Sequence, residues 1–212
     1  MGDRFDRLSV RHVNVEALLR RPGIGHNNGP IFDMSWEAWV WRRATAKAWK
    51  TPSPEVAKMR VRRAERLGIT YKELTSALMD SGANLGAAVL PLSLAARVRR
   101  GPKGEIVVEP RNSVAALVGK FVGRLFLLGD IDAVPGLSDA ERTEFLATVN
   151  RAFDGKVEAI GWGHDGKAIR AMLKANAVPH QEAFIVGAGM GHRVLGEAAG
   201  LPLVKDIETW FS

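Results

Sequence analysis

From Arg124 onward the chain alternates short apolar runs with amphipathic stretches, and this alternation limits the fold more than any other feature. The runs at 124–128, 157–162, 183–186 and 203–204 have the length of strands. Between the first two, Ser138-Asp139-Ala140-Glu141 reads as a capping box, and Phe145, Leu146, Val149 and Phe153 form one apolar stripe, so a helix is predicted there. Further helices are predicted over about 166–176 and 191–199. Strands separated by helices need crossover connections, which predicts a parallel sheet with right-handed crossovers.

Upstream, residues 87–92 form a compact apolar run, and 95–100 with 105–109 flank Gly101-Pro102-Lys103-Gly104 in the manner of a hairpin. A helix fits 113–123. Before these, Ser53 as N-cap with Pro54 at the first helical position starts a helix that runs to about Leu67, ahead of Gly68. Thr70-Tyr71-Lys72-Glu73 is a second capping box, whose helix is expected to run to Asp80 and end at Gly82. Trp36, Trp39, Ala46 and Trp49 recur at near-helical spacing from Ser35, while the turn-rich stretch Arg21–Pro30 reads as irregular. The expected organisation is an irregular arm at 1–34, a basic helical region at 35–82 and a Rossmann-like α/β domain at 83–212, in which helices flank a parallel sheet.

Bulk properties narrow the chemistry. The 212 residues are 46% hydrophobic and 25% charged, as in ordinary globular domains. No cysteine is present, which excludes disulfides, thiolate zinc sites and a thiol nucleophile. The apolar stretch 114–128 is broken by Lys120 and Arg124, and Met1–Arg7 lacks the apolar core of a signal peptide, so a cytoplasmic protein without a membrane partner is expected. The formal charge of +7 favours polyanionic partners.

Nine cations lie between residues 42 and 66: Arg42, Arg43, Lys47, Lys50, Lys58, Arg60, Arg62, Arg63 and Arg66, against Glu55 and Glu65. Arg42, Arg43, Lys47, Lys50, Arg60, Arg62, Arg63 and Arg66 are the candidate nucleic-acid contacts, with the nearby tryptophans available for stacking. The plainer reading is a solvated helical face. The two helices around Gly68 also resemble a helix-turn-helix, whose base-reading residues would be Tyr71, Lys72 and Thr75.

A glycine-rich stretch, Val186-Gly187-Ala188-Gly189-Met190-Gly191-His192, sits where a strand passes into a helix. Gly187, Gly189, Gly191 and His192 are candidate ligands for a phosphate at the helix N-terminus, although a tight turn explains the glycines equally well. Asp130 and Asp132 follow an apolar strand, where two acids one residue apart can share a magnesium ion or act as nucleophile and general acid. A solvated loop is the alternative. His26, His164, His180 and His192 lack the spacing of a zinc site, and neither a Gly-x-Ser-x-Gly elbow nor a Walker lysine loop occurs.

On these residues, the segment from about 124 to 204 resembles the haloacid dehalogenase-like Rossmannoid. Asp130-x-Asp132-x-Val134 is similar to its first motif. The resemblance implies Asp130 as nucleophile, Asp132 as acid/base, both on magnesium, with Lys167 or Lys174 as the lysine and 183–187 as the strand opening the last motif. That last motif normally supplies acidic magnesium ligands after its glycine, whereas Ala188-Gly189-Met190-Gly191-His192 supplies none. The front end, with Ile24-Gly25-His26-Asn27-Asn28-Gly29-Pro30, resembles a family of uncharacterised bacterial proteins with a similar arm before a phosphatase-like tail. The expected function is therefore a non-catalytic or accessory protein binding nucleic acid or a phosphorylated ligand. The alternatives are a magnesium-dependent phosphohydrolase and an interaction subunit with a protein partner.

Overall fold

The computed structural model describes Arg43, residues 52–102, 104–129 and 139–212. The arm, the tryptophan helix, Asp130, Asp132 and the Ser138 cap lie outside the described residues. Arg43 is helical and exposed. Residues Pro52–Ser212 form one compact unit.

Helix α1 (Pro54–Leu67) starts where Ser53 accepts a hydrogen bond from the Val56 amide, and it ends at Gly68, whose φ of 70° terminates the helix in the left-handed region. Helix α2 (Tyr71–Ser81) carries the complete capping box: Thr70 Oγ1 accepts from the Glu73 amide, and Glu73 Oε2 accepts from the Thr70 amide at 2.7 Å. Strand β1 (Ala87–Pro91) then passes through a helical turn, α3 (Leu92–Ala95), into the hairpin of β2 (Ala96–Arg100) and β3 (Ile106–Pro110). Helix α4 (Asn112–Lys120), β4 (Arg124–Gly129), α5 (Asp139–Ala152), β5 (Val157–Trp162), α6 (Gly166–Ala175), β6 (Ala183–Gly187), α7 (Gly189–Ala199) and β7 (Val204–Asp206) follow.

Five strands form one parallel sheet in the order β5-β4-β1-β6-β7, and the hairpin is a separate antiparallel pair. The expected parallel sheet is present, and its first strand is β1. This residue run lies well before Arg124, between β4 and β6 at the centre.

Alternation along the central strands divides the core in two. Ala88, Leu90, Leu125, Leu127, Phe184 and Val186 face a layer made by α1, α2, α4 and α5. Ala87, Val89, Phe126, Leu128, Ala183 and Ile185 face the other, made by α6 and α7. With both faces covered, β1 and β6 are buried at every position. Ala64 and Leu67 of α1, with Leu74 and Ala77 of α2, belong to the first core, so the basic helices pack on the sheet through their apolar sides. The tail completes the layer: the buried Trp210 donates from Nε1 to the Leu67 carbonyl at 2.9 Å, and the Phe211 amide donates to the Gly68 carbonyl at 3.1 Å. Among the described residues, no helix is long and apolar enough to cross a membrane.

Candidate functional site

In a parallel sheet all carboxyl ends share one rim, and ligands gather where neighbouring strands send their connections in opposite directions. Here β1 leads towards β4 and β6 leads towards β7, so the switch lies between β1 and β6. The rim residues there are Pro91, Leu92 and the exposed Ser93 on one side, with Gly187, Ala188 and Gly189 on the other. Gly129, the residue before Asp130, ends β4 on the same rim, one strand away from the switch. Its approach is tight: a Cβ on Gly129 would lie 2.8 Å from the Trp162 ring.

The glycine loop is shaped by its own packing. A Cβ on Gly187 would fall 2.4 Å from the His192 Cβ, and Gly189 has a φ of 69°. His192 turns back onto this loop. Its Nδ1 lies 3.2 Å from the Ala188 amide nitrogen and 2.6 Å from the Ala188 carbonyl oxygen, so the ring serves as a cap in place of a side chain at Ala188. Gly191 has open space around it. A shallow cavity of about 330 Å³ beside the loop is lined by Gly187, Gly189, Met190, Arg193, Lys205 and Asp206, with Val204.

Lys205 is the buried cation of this region and went unnoticed in the sequence because it sits in a three-residue strand. Its ammonium donates to both carboxylate oxygens of Glu73, at 3.0 and 3.1 Å, and thereby ties β7 to the first turn of α2. Burial alone would raise the Glu73 carboxyl. The Thr70 amide, Lys205 and the Thr70 hydroxyl outweigh it and hold the group below its ordinary value.

The two lysines proposed for the rim separate. Lys167 stands exposed in the first turn of α6, at the rim end, behind the Asp165 cap. Lys174 is in the last turn of the same helix, about 10 Å further along its axis, where it lines a surface hollow with Arg170 and His180. It faces the opposite end of the sheet and is removed from the rim set. Thr75 likewise leaves the base-reading set: it is buried, and its hydroxyl donates to the Tyr71 carbonyl at 2.7 Å.

At that opposite end lies a groove of about 830 Å³. Helix α1 lines it with Val56, Met59, Arg60, Arg62, Arg63 and Arg66, and Leu78, Asn84–Gly86 and Val122 close it. Four of the sequence-predicted cations thus converge on one surface. Arg63 is fixed in place, with Nε and Nη2 donating to the Leu85 carbonyl at 2.8 and 2.6 Å. Among the described residues, no acidic side chain lines the groove and no carboxylate pairs with Arg60, Arg62 or Arg66. The apolar partners Met59, Leu78 and Val122 were not visible as site residues, because only the fold brings three separate segments together.

No protein-family model matches the chain, and no curated protein matches it. Among solved structures it is similar to a hypothetical protein from Xanthomonas campestris, with 14% identity and a TM-score of 0.36 over 62% of this chain and 68% of that one. It is also similar to 3-deoxy-D-manno-octulosonate 8-phosphate phosphatase from Yersinia pestis, with 8% identity and a TM-score of 0.35 over 61% of this chain and 67% of that one.

Proposed function

We propose that the chain is an accessory binding protein, acting on an anionic partner without turning it over, and that the arginine groove is its working surface. The convergence of Arg60, Arg62, Arg63 and Arg66 on one groove, with no lining carboxylate among the described residues, carries this reading. Guanidinium groups with no internal acid to neutralise them hold a positive potential that attracts anions from a distance. Nucleic acid and phosphorylated ligands, the partners expected from the sequence, belong to this class, and so do acidic protein segments. Binding of a fluorescent poly-glutamate and of an oligonucleotide, followed by anisotropy across a salt series, tests the reading. Salt-sensitive binding of at least one, lost on Arg60→Glu with Arg66→Glu, is expected, and no salt-sensitive binding of either would remove the reading.

A second reading, the magnesium-dependent phosphohydrolase with Asp130, Asp132 and Lys167, draws on the position of Gly129, which brings the chain to the rim just before Asp130. Magnesium-dependent turnover of p-nitrophenyl phosphate, abolished by Asp130→Asn, would replace the accessory role with catalysis.

A further inference from the structure

The arginine groove is also apolar, and this decides what kind of anion it suits. Met59 is 66% exposed and Val122 48% exposed, both on the groove, with Val56, Leu67, Leu78 and Leu85 beneath them. The residues supplied by α1 are Val56, Met59, Arg60, Arg63, Arg66 and Leu67 along one face of the helix, with Arg62 at its margin. At its inner edge Leu67 is buried in the core, and Leu78 of α2 closes the groove, while Met59 and the arginine head groups remain open to solvent. Exposed apolar side chains interleaved with arginines are characteristic of surfaces that close on another protein, where methionine and arginine are enriched and lysine is depleted.

A nucleic acid would use the arginines for its phosphates and leave the rest unmatched. Among the described residues, no aromatic side chain lines the groove to stack on a base, and no lysine lines it. The apolar floor would stay in contact with a highly charged backbone. An amphipathic helix with apolar residues at i, i+3, i+4 and i+7, and with Glu or Asp on its flanks, meets both requirements at once. Its apolar stripe covers Met59 and Val122, and its carboxylates meet Arg60, Arg62 and Arg66. Arg63 is already ordered by the Leu85 carbonyl, so little side-chain freedom is lost when it takes part.

We propose that the groove along α1, between Val56 and Leu67 and closed by Leu78 and Val122, is a docking site for an acidic amphipathic helix of a protein partner. The proposal rests on the anion-binding reading and narrows it. The probe is a fluorescein-labelled peptide of about 16 residues, enough to span the 14 residues of α1, with a leucine stripe flanked by glutamates. It is compared with a scrambled peptide of the same composition, a version with each Glu replaced by Gln, and a single-stranded oligonucleotide of about 20 nucleotides. The full chain is expected to bind the amphipathic peptide at least about tenfold more tightly than the other three. Arg60→Glu with Arg66→Glu and, separately, Met59→Asp are each expected to weaken it by about tenfold or more. These positions lie on the surface, and the comparison among peptides needs no variant, so a folding defect cannot mimic the result. Equal binding of the scrambled peptide, tighter binding of the oligonucleotide, or indifference to Met59→Asp overturns the helix while leaving the anion-binding reading intact. Failure of every anionic probe overturns both.

Discussion

Removing Glu73 and removing Lys205 will have very different effects, although the two form one ion pair. The side chain of Lys205 is 5% exposed, and both of the oxygens that its ammonium meets belong to Glu73. In Glu73→Ala the ammonium is left in the core with no partner, a situation that costs about 3 kcal/mol or more. Loss of the Glu73 half of the capping box adds about 1 kcal/mol. In Lys205→Met the carboxylate keeps the Thr70 amide at 2.7 Å and the Thr70 hydroxyl at 3.0 Å, its side chain is 30% exposed to water, and methionine fills most of the lysine's volume. That change is expected to cost under about 1 kcal/mol. Urea denaturation of the two variants beside the parent protein reads the difference directly. Because the folded state holds the Glu73 carboxyl below its ordinary value of 4.5, its contribution is complete above that value and disappears as pH falls through the lower folded-state value. Glu73→Gln should therefore flatten the acid limb of stability against pH. Equal losses for Glu73→Ala and Lys205→Met, or an unchanged acid limb in Glu73→Gln, would refute the asymmetry.

Trp210→Ala removes a side chain that is 2% exposed together with its bond to the Leu67 carbonyl, and it should cost about 3–5 kcal/mol in the same titration. Gly68→Ala places a Cβ at a φ of 70° and 2.5 Å from the Phe211 ring, so a loss of about 1–2 kcal/mol and a lower melting temperature are expected. Gly187→Ala meets the His192 Cβ and should cost about 1–3 kcal/mol, measured by thermal unfolding.

The elements were legible where local chemistry specifies them. Ser53, Thr70 and Glu73 announce their helices through side chains that satisfy neighbouring amides, and the helices begin where they indicate. The hairpin around Gly101–Gly104 was equally plain, since a Gly-Pro-containing turn between two strand-length segments has few other solutions. The place of β1 was not legible. A strand buried on both faces is a continuous apolar run, and such a run carries no record of which strands flank it. The alternation from Arg124 onward says nothing of where 87–92 sits, and the central rim residues are Pro91, Leu92 and Ser93. The glycine stretch admits two readings. Glycine is demanded by an anion and by a crowded imidazole alike, and at Gly187 the neighbour on the page is His192. Of the cationic cluster, the sequence showed the charge and the fold supplied the groove. Met59 and Val122, far apart in the chain, meet only after α1 and the turn before β4 are in place.

The pairing of β1 with β6 has a kinetic consequence. Ala87 lies opposite Ala183, so that ladder closes a loop that contains the hairpin and two other sheet strands. Non-local pairing of this sort slows folding, because the closure entropy is spent before any contact repays it. If the half-sheet β5-β4-β1 forms first, the β6-facing edge of β1 is bare at that stage, and amide exchange during refolding should find protection arriving last along β6 and β7.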